Sequence, residues 1–195
     1  MRILLDVAAA NPGFRPVASM YVNAAPFGGG EAGNQALRWL HDNGFEIGNH
    51  TFGHTNLRTA SAAKAQQDIA KGDAFIREAV PGYVPTTLAL PFGARPRDET
   101  LPVSGPGYEY TAALLVGSNP APSPFSADFK AHAIPRIRSQ GADGAEAAFG
   151  STSWLDQLAA SPSRRYTSDG DPNVISYPTG GKPPAERYAR AAVAY

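Results

Sequence analysis

The sequence predicts an α/β fold built on a parallel sheet or a (β/α) barrel. Three observations carry this. Strand-like runs alternate with helical runs from residue 17 to residue 90, the pattern that parallel strands with helical crossovers require. Twenty glycines and 18 prolines among 195 residues make the chain loop-rich, which suits a barrel with long connections better than a helix bundle. A hydrophobic content of 43% is enough for a sizeable core.

In chain order, residues 3–10 read as the end of a helix, stopped by Asn11-Pro12-Gly13. Residues 17–23, dominated by Val, Met and Tyr, read as a strand. The loop at 24–30 is glycine-rich, but no Gly-Lys-Ser/Thr follows, which excludes P-loop chemistry. Residues 33–43 are helical, with Leu37 and Leu40 on one face and Gly44 at the end. Residues 45–49 form the next strand. The longest helix spans 61–80; its apolar stripe of Ala62, Ala65, Ile69, Phe75 and Ile76 is irregular, and Gly72 weakens its middle. Residues 86–90 form a buried-looking strand running into Pro91-Phe92-Gly93.

Beyond this point the pattern is looser. A charged, Pro-rich loop at 95–107 precedes a strand at 110–117, and three prolines within 119–124 force extended or turning chain. A strand is expected at 133–139, a helix within 146–160 and a last strand at 174–177. Residues 180–184 look like a linker, and 186–195 read as a marginal terminal helix. The expected organisation is one domain over 1–178, lacking its N-terminal part, and a linker and tail over 179–195.

The formal net charge is zero, so nothing points to nucleic acid or an anionic membrane. The absence of cysteine excludes disulfides, thiolate metal sites and cysteine nucleophiles. No run of about 18 apolar residues predicts a membrane span, and the N-terminal apolar run, broken at Asp6, does not read as a signal peptide.

The chemistry concentrates in one stretch, Phe45 to Leu57, which holds two of the four histidines. His50 and His54 stand at i and i+4 where a strand gives way to a polar turn. Neutral imidazole is the commonest protein ligand for zinc, and two at this spacing reach one ion if the backbone coils after the first. Gly48 and Gly53 are expected to allow the tight turns. The metalloprotease motif with the same spacing needs a glutamate as its second residue; here that residue is Thr51, so that chemistry is excluded. The bland alternative is a pair of partly buried histidines bonded to backbone.

The segment EIGNHTFGHTNL resembles the His-Ser/Thr-x-x-His motif of the polysaccharide deacetylases, the NodB-homology carbohydrate esterases. The order around it agrees: RPVASMYVN, NQALRWLHDNG, the histidine segment, AAKAQQDIAKGDAFIREAV and then TTLALPFG. The resemblance covers about residues 16–93. It implies a distorted or incomplete (β/α) barrel and a divalent metal, Zn2+ or Co2+, held by His50 and His54. It further implies an acetylated polysaccharide as substrate, and action outside the cytoplasm or at the cell envelope. Phe92 would offer its backbone N–H to the oxyanion, with Pro91, Gly93 and Arg136 near the substrate.

Parts of the family pattern are missing from these residues. No Thr-Phe-Asp-Asp motif supplies a base and a third ligand, as if the chain started after it; an unpaired sheet edge and self-association would then be expected. The family's arginine before Pro-Phe-Gly is Ala89 here, and no histidine follows His132 to match the late Leu-x-His acid. Asp6 precedes the first strand but sits in a helical stretch, which makes it a poor substitute, and Asp128 and Asp143 are candidate bases only by being acidic. His132 reads as a surface-loop residue, Arg136 and Arg138 as solvated charges, and Trp39 and Trp154 as core packing rather than sugar platforms. Two functions compete: a metal-dependent deacetylase in a truncated or divergent copy, weak as an isolated chain, and a non-catalytic carbohydrate-binding relative. A soluble α/β domain without metal is the residual reading.

Overall fold

The computed structural model describes residues 1–117, 119–161 and 170–195. The chain divides into two compact units, Met1–Ala113 and Leu114–Tyr195.

The first unit begins with helix α1 (Arg2–Ala10), which buries none of its residues. Strand β1 (Ser19–Val22), helix α2 (Gly30–Asp42), strand β2 (Glu46–Asn49), helix α3 (Ala62–Ala79) and strand β3 (Thr87–Ala89) then alternate as expected. β1 pairs with β2 in parallel, from Ser19 opposite Glu46 to Val22 opposite Asn49. β2 pairs with β3 in parallel through Asn49 and Leu88. A hairpin of β4 (Ser104–Gly105) and β5 (Tyr108–Glu109) follows, and β6 (Ala112–Leu114) completes a four-stranded sheet in the order β1-β2-β3-β6.

Parallel strands need both faces covered, and the helices supply apolar cover. Leu37 and Leu40 of α2 and Ile76 and Ala79 of α3 pack with Val22, Phe45, Ile47 and Val80 in one buried cluster. Trp39 lies against this cluster and stacks on Phe45 with ring centroids 6.3 Å apart, so it serves packing. Ser61 caps α3 by accepting from the Lys64 amide.

The irregular stripe of α3 has a physical reason. Its buried face carries Ala65, Ile69 and Ile76, but also Asp68, Gly72 and Asp73. Gly72 does not merely weaken the helix: a Cβ there would stand 2.3 Å from Asn49 Oδ1 and 3.0 Å from the Thr51 carbonyl carbon. The glycine is what lets the end of β2 lie against the helix.

In the second unit the expected strand at 133–139 reduces to isolated bridges, Leu114 with Ile134 and Arg138 with Gly150. Pro135 has no N–H to continue a ladder. Helix α4 (Ser151–Ala160) and strand β7 (Ile175–Tyr177) agree with expectation. The terminal helix does not form. Residues Glu186–Tyr188 make one 3-10 turn, and β8 (Ala192–Ala194) pairs in parallel with β7. Val193 and Tyr195 read equally well as strand, and pairing with β7 decides the matter. Among the described residues no helix is long and apolar enough to cross a membrane.

A Gly72→Ala exchange tests the close approach. Helix propensity favours alanine by about 1 kcal/mol, while overpacking a rigid neighbour costs about 1–3 kcal/mol. The expected outcome is net destabilisation of about 1 kcal/mol in urea unfolding; an increase in stability would show that Asn49 yields freely.

Candidate metal and active site

The site forms where β2 and β3 end. His50 follows β2 directly and extends its pairing, its amide donating to Val22 O at 2.9 Å. Its Nδ1 lies 2.7 Å from Ala89 O, at the end of β3. A carbonyl only accepts, so Nδ1 carries a proton, and in the neutral ring Nε2 then carries the lone pair. That is the tautomer a metal-binding histidine uses, with its orientation set by a backbone carbonyl.

The chain then coils. Thr51 and His54 adopt left-handed φ values of 61° and 52°, and this brings the His54 ring to 4.8 Å from the His50 ring, edge to face at 68°. The Pro91–Gly93 segment forms a 3-10 turn with Phe92 also left-handed, φ 58°. The exposed Phe92 ring meets the His54 ring at 4.6 Å. Gly93 N and Ala94 N close the turn on Leu90 O and Pro91 O, both at 3.0 Å, and Phe92 N–H takes no part in those bonds. Pro91 itself is buried. The two histidines and the Pro-Phe-Gly segment, 37 or more positions apart in the chain, therefore form one cluster.

The expected role of the glycines needs correcting. Gly48 and Gly53 do not take positive φ; the residues that do are Thr51 and His54. Gly48 instead makes room, since a Cβ there would meet the Tyr21 ring at 2.3 Å. Gly53 admits the Asp68 carboxylate, whose Oδ1 would be 3.0 Å from an added Cβ.

Several supporting residues were not singled out from the sequence. The fully buried Asn49 accepts from Thr51 N at 2.8 Å through Oδ1 and donates through Nδ2 to Ile69 O at 2.9 Å and to Tyr110 Oη at 2.6 Å. Tyr110 Oη donates to Asp73 Oδ2 at 3.1 Å, and Asp73 is paired with Arg77. Burial above all pushes the Tyr110 phenol well above its ordinary range, so it stays a donor. Asp68 accepts from Gly53 N at 2.9 Å and Thr55 N at 3.2 Å. Burial acts to raise its pKa, but hydrogen bonds from Thr55 and Gly53 outweigh it and hold the carboxyl below the usual 3.8. Thr51 Oγ1, fully buried, stands close enough to lower it further but makes no well-formed hydrogen bond. The signal in the sequence was the pair of acids interrupting the apolar stripe of α3.

The other candidates lie in other parts of the chain. Asp6 is exposed on α1. Arg136, His132, Asp128 and Asp143 belong to the second unit. There Arg136 Nε donates to Leu115 O at 2.7 Å, Asp128 pairs with Lys182, and Arg138 pairs with Glu146 at 2.6 Å. Trp154 lies on α4. The donor chemistry of the histidine pair fits a divalent ion through two imidazoles. Among the described residues no group of three or more His, Asp or Glu is placed to hold a metal.

The family model for polysaccharide deacetylase matches residues 17–110. Over this segment, just under half of its length, the chain is similar to the polysaccharide deacetylase family. The match takes in both histidines, the Pro-Phe-Gly turn and Tyr110. Among solved structures, a putative polysaccharide deacetylase from Bacillus anthracis is similar at 18% identity and a TM-score of 0.54, over 70% of this chain and 41% of that one. A family 4 carbohydrate esterase from Bacillus anthracis matches at 18% identity, over 82% of this chain and 69% of that one, with a TM-score of 0.45. A family 4 pseudoenzyme from the same organism matches at 22% identity, over 51% and 32%, with a TM-score of 0.41. The chain thus spans about a third of the pseudoenzyme's length. No curated protein matches it. The parallel α/β sheet is the deacetylase fold as far as these residues build it.

The Asp68 carboxyl of this deacetylase-like segment makes a pH prediction. A folded-state pKa below 3.8 adds stability that is complete above that pH and is lost as pH falls through the folded value. Asp68→Asn should cost about 1–2 kcal/mol at pH 7, and its stability should fall less steeply than the wild type's below about pH 4. Unfolding curves from pH 2 to 7 check this; parallel slopes for the two proteins would contradict it.

Proposed function

We propose that the histidine cluster is the metal-binding half of a deacetylase site acting on N- or O-acetylated polysaccharide. The observation that carries this reading is the convergence of His50 and His54, with His50 in the ligating tautomer, beside the Pro91–Gly93 turn. His50 and His54 would hold one divalent ion, with Zn2+ as first choice and Co2+ as an alternative. Such an ion polarises an acetyl carbonyl and makes bound water acidic.

The chain's own groups do the rest. The Ala89 carbonyl holds the His50 proton on Nδ1. Phe92 N–H is a donor for the oxyanion that forms when the acetyl carbon becomes tetrahedral. The exposed Phe92 ring and Gly93 would border the sugar. Catalysis by these residues alone is slow, because a positioned general acid or base each contributes on the order of 10²–10⁴-fold, and neither is assigned. A second reading, a non-catalytic glycan-binding relative, is favoured because no group of three or more His, Asp or Glu is placed to hold a metal among the described residues.

Calorimetric titration with Zn2+ is expected to show one site in the wild type. His50→Ala and His54→Ala should each weaken it at least tenfold, since one of two protein ligands is lost. Acetate release from acetylated chitooligosaccharides or peptidoglycan fragments should be slow, metal-dependent and absent in both variants. No Zn2+ binding by the wild type sinks the metal reading. Oligosaccharide binding without any acetate release moves the protein to the second reading.

A further inference from the structure

We propose that Asp68 is a positioning residue for His54: the metal affinity of the histidine pair depends on a carboxylate that is not itself a ligand. This rests on the reading of His50 and His54 as ligands. The geometry is a bracket. Gly53 N and Thr55 N, the amides immediately before and after the histidine's own, donate to the two oxygens of one carboxylate, at 2.9 and 3.2 Å. The backbone carbonyl of Asp68 accepts from Phe52 N at 3.0 Å, so one residue of α3 holds three amides of the loop.

Between the two bracketed amides His54 sits at φ 52°, a region that non-glycine residues leave unless the surroundings hold them. Extended φ at His54 would swing the ring away from His50 and break the bracket. Both carboxylate oxygens are turned to amides, which places Asp68 behind the loop as a support. Asp68 is also only 3% exposed, and a buried carboxylate without these donors would be costly. Asparagine has the same shape but only one oxygen, so it sets a donor against one of the two amides.

The test uses the full 195-residue chain, at a temperature where circular dichroism shows every variant folded. Zn2+ affinity is measured by calorimetry. The φ of His54 is read from its amide–Hα coupling in the metal-free protein. For Asp68→Asn we expect Zn2+ affinity to fall about tenfold or more and the coupling to leave its left-handed value. Ile76→Val, which trims the core on the same helix without a hydrogen bond to the loop, should keep wild-type affinity. Unchanged affinity and coupling in Asp68→Asn would overturn the proposal, and so would an equal loss in Ile76→Val. If Asp68→Asn does not fold, Gly53→Ala crowds the same carboxylate from the loop side, and unchanged affinity there overturns the proposal. A wild type that binds no Zn2+ removes the ligand reading. Positioning then stands or falls on the coupling alone.

Discussion

Two buried polar side chains, Asn49 and Asp68, govern the shape of everything around the histidines. A polar group out of water must find partners within the protein. Asn49 finds three, on Thr51, on α3 and on Tyr110. Asp68 finds the amides of Gly53 and Thr55. The loop between β2 and α3 is therefore tied to one face of the helix over its whole first half. The consequence on α3 is the loss of a clean apolar stripe, because Asp68, Gly72 and Asp73 occupy buried positions that a purely structural helix would give to leucine.

These bonds also carry strain. Thr51, His54 and Phe92 are three of the four non-glycine residues with positive φ among the described residues. Each such conformation costs on the order of 1 kcal/mol, and it persists only where surrounding contacts over-determine it. All three lie beside the C-terminal ends of parallel strands, where α/β folds place their ligand sites. In this chain strain and candidate chemistry coincide.

The charges divide in the same way. In the first unit the buried acids are engaged by amides, a phenol and a guanidinium, so they fix geometry. The basic and acidic candidates of the second unit are engaged locally, Arg136 with a backbone carbonyl and Asp128 with Lys182. Surface pairs of that kind contribute little to stability.

Much of the fold was legible in the sequence. Strand and helix periods placed β1 to β3 and their helices within a few residues, and i, i+4 spacing at a strand end pointed to His50 and His54. Local pattern is enough there because apolar periodicity follows from which face is buried. The segments that failed, residues 133–139 and 186–195, are those whose state depends on a partner strand, which no local window contains. The site was legible only in its ligand candidates. That His54 would be left-handed, that Gly48 and Gly53 would make room rather than turn, and that Asp68 would reach across 13 to 15 residues to hold the loop follow from packing between α3 and the end of β2. Sequence alone determined the candidate donors and the alternation of elements. Tertiary structure decided which backbone conformations the donors adopt, because only packing supplies the hydrogen bonds that make a strained backbone the stable one.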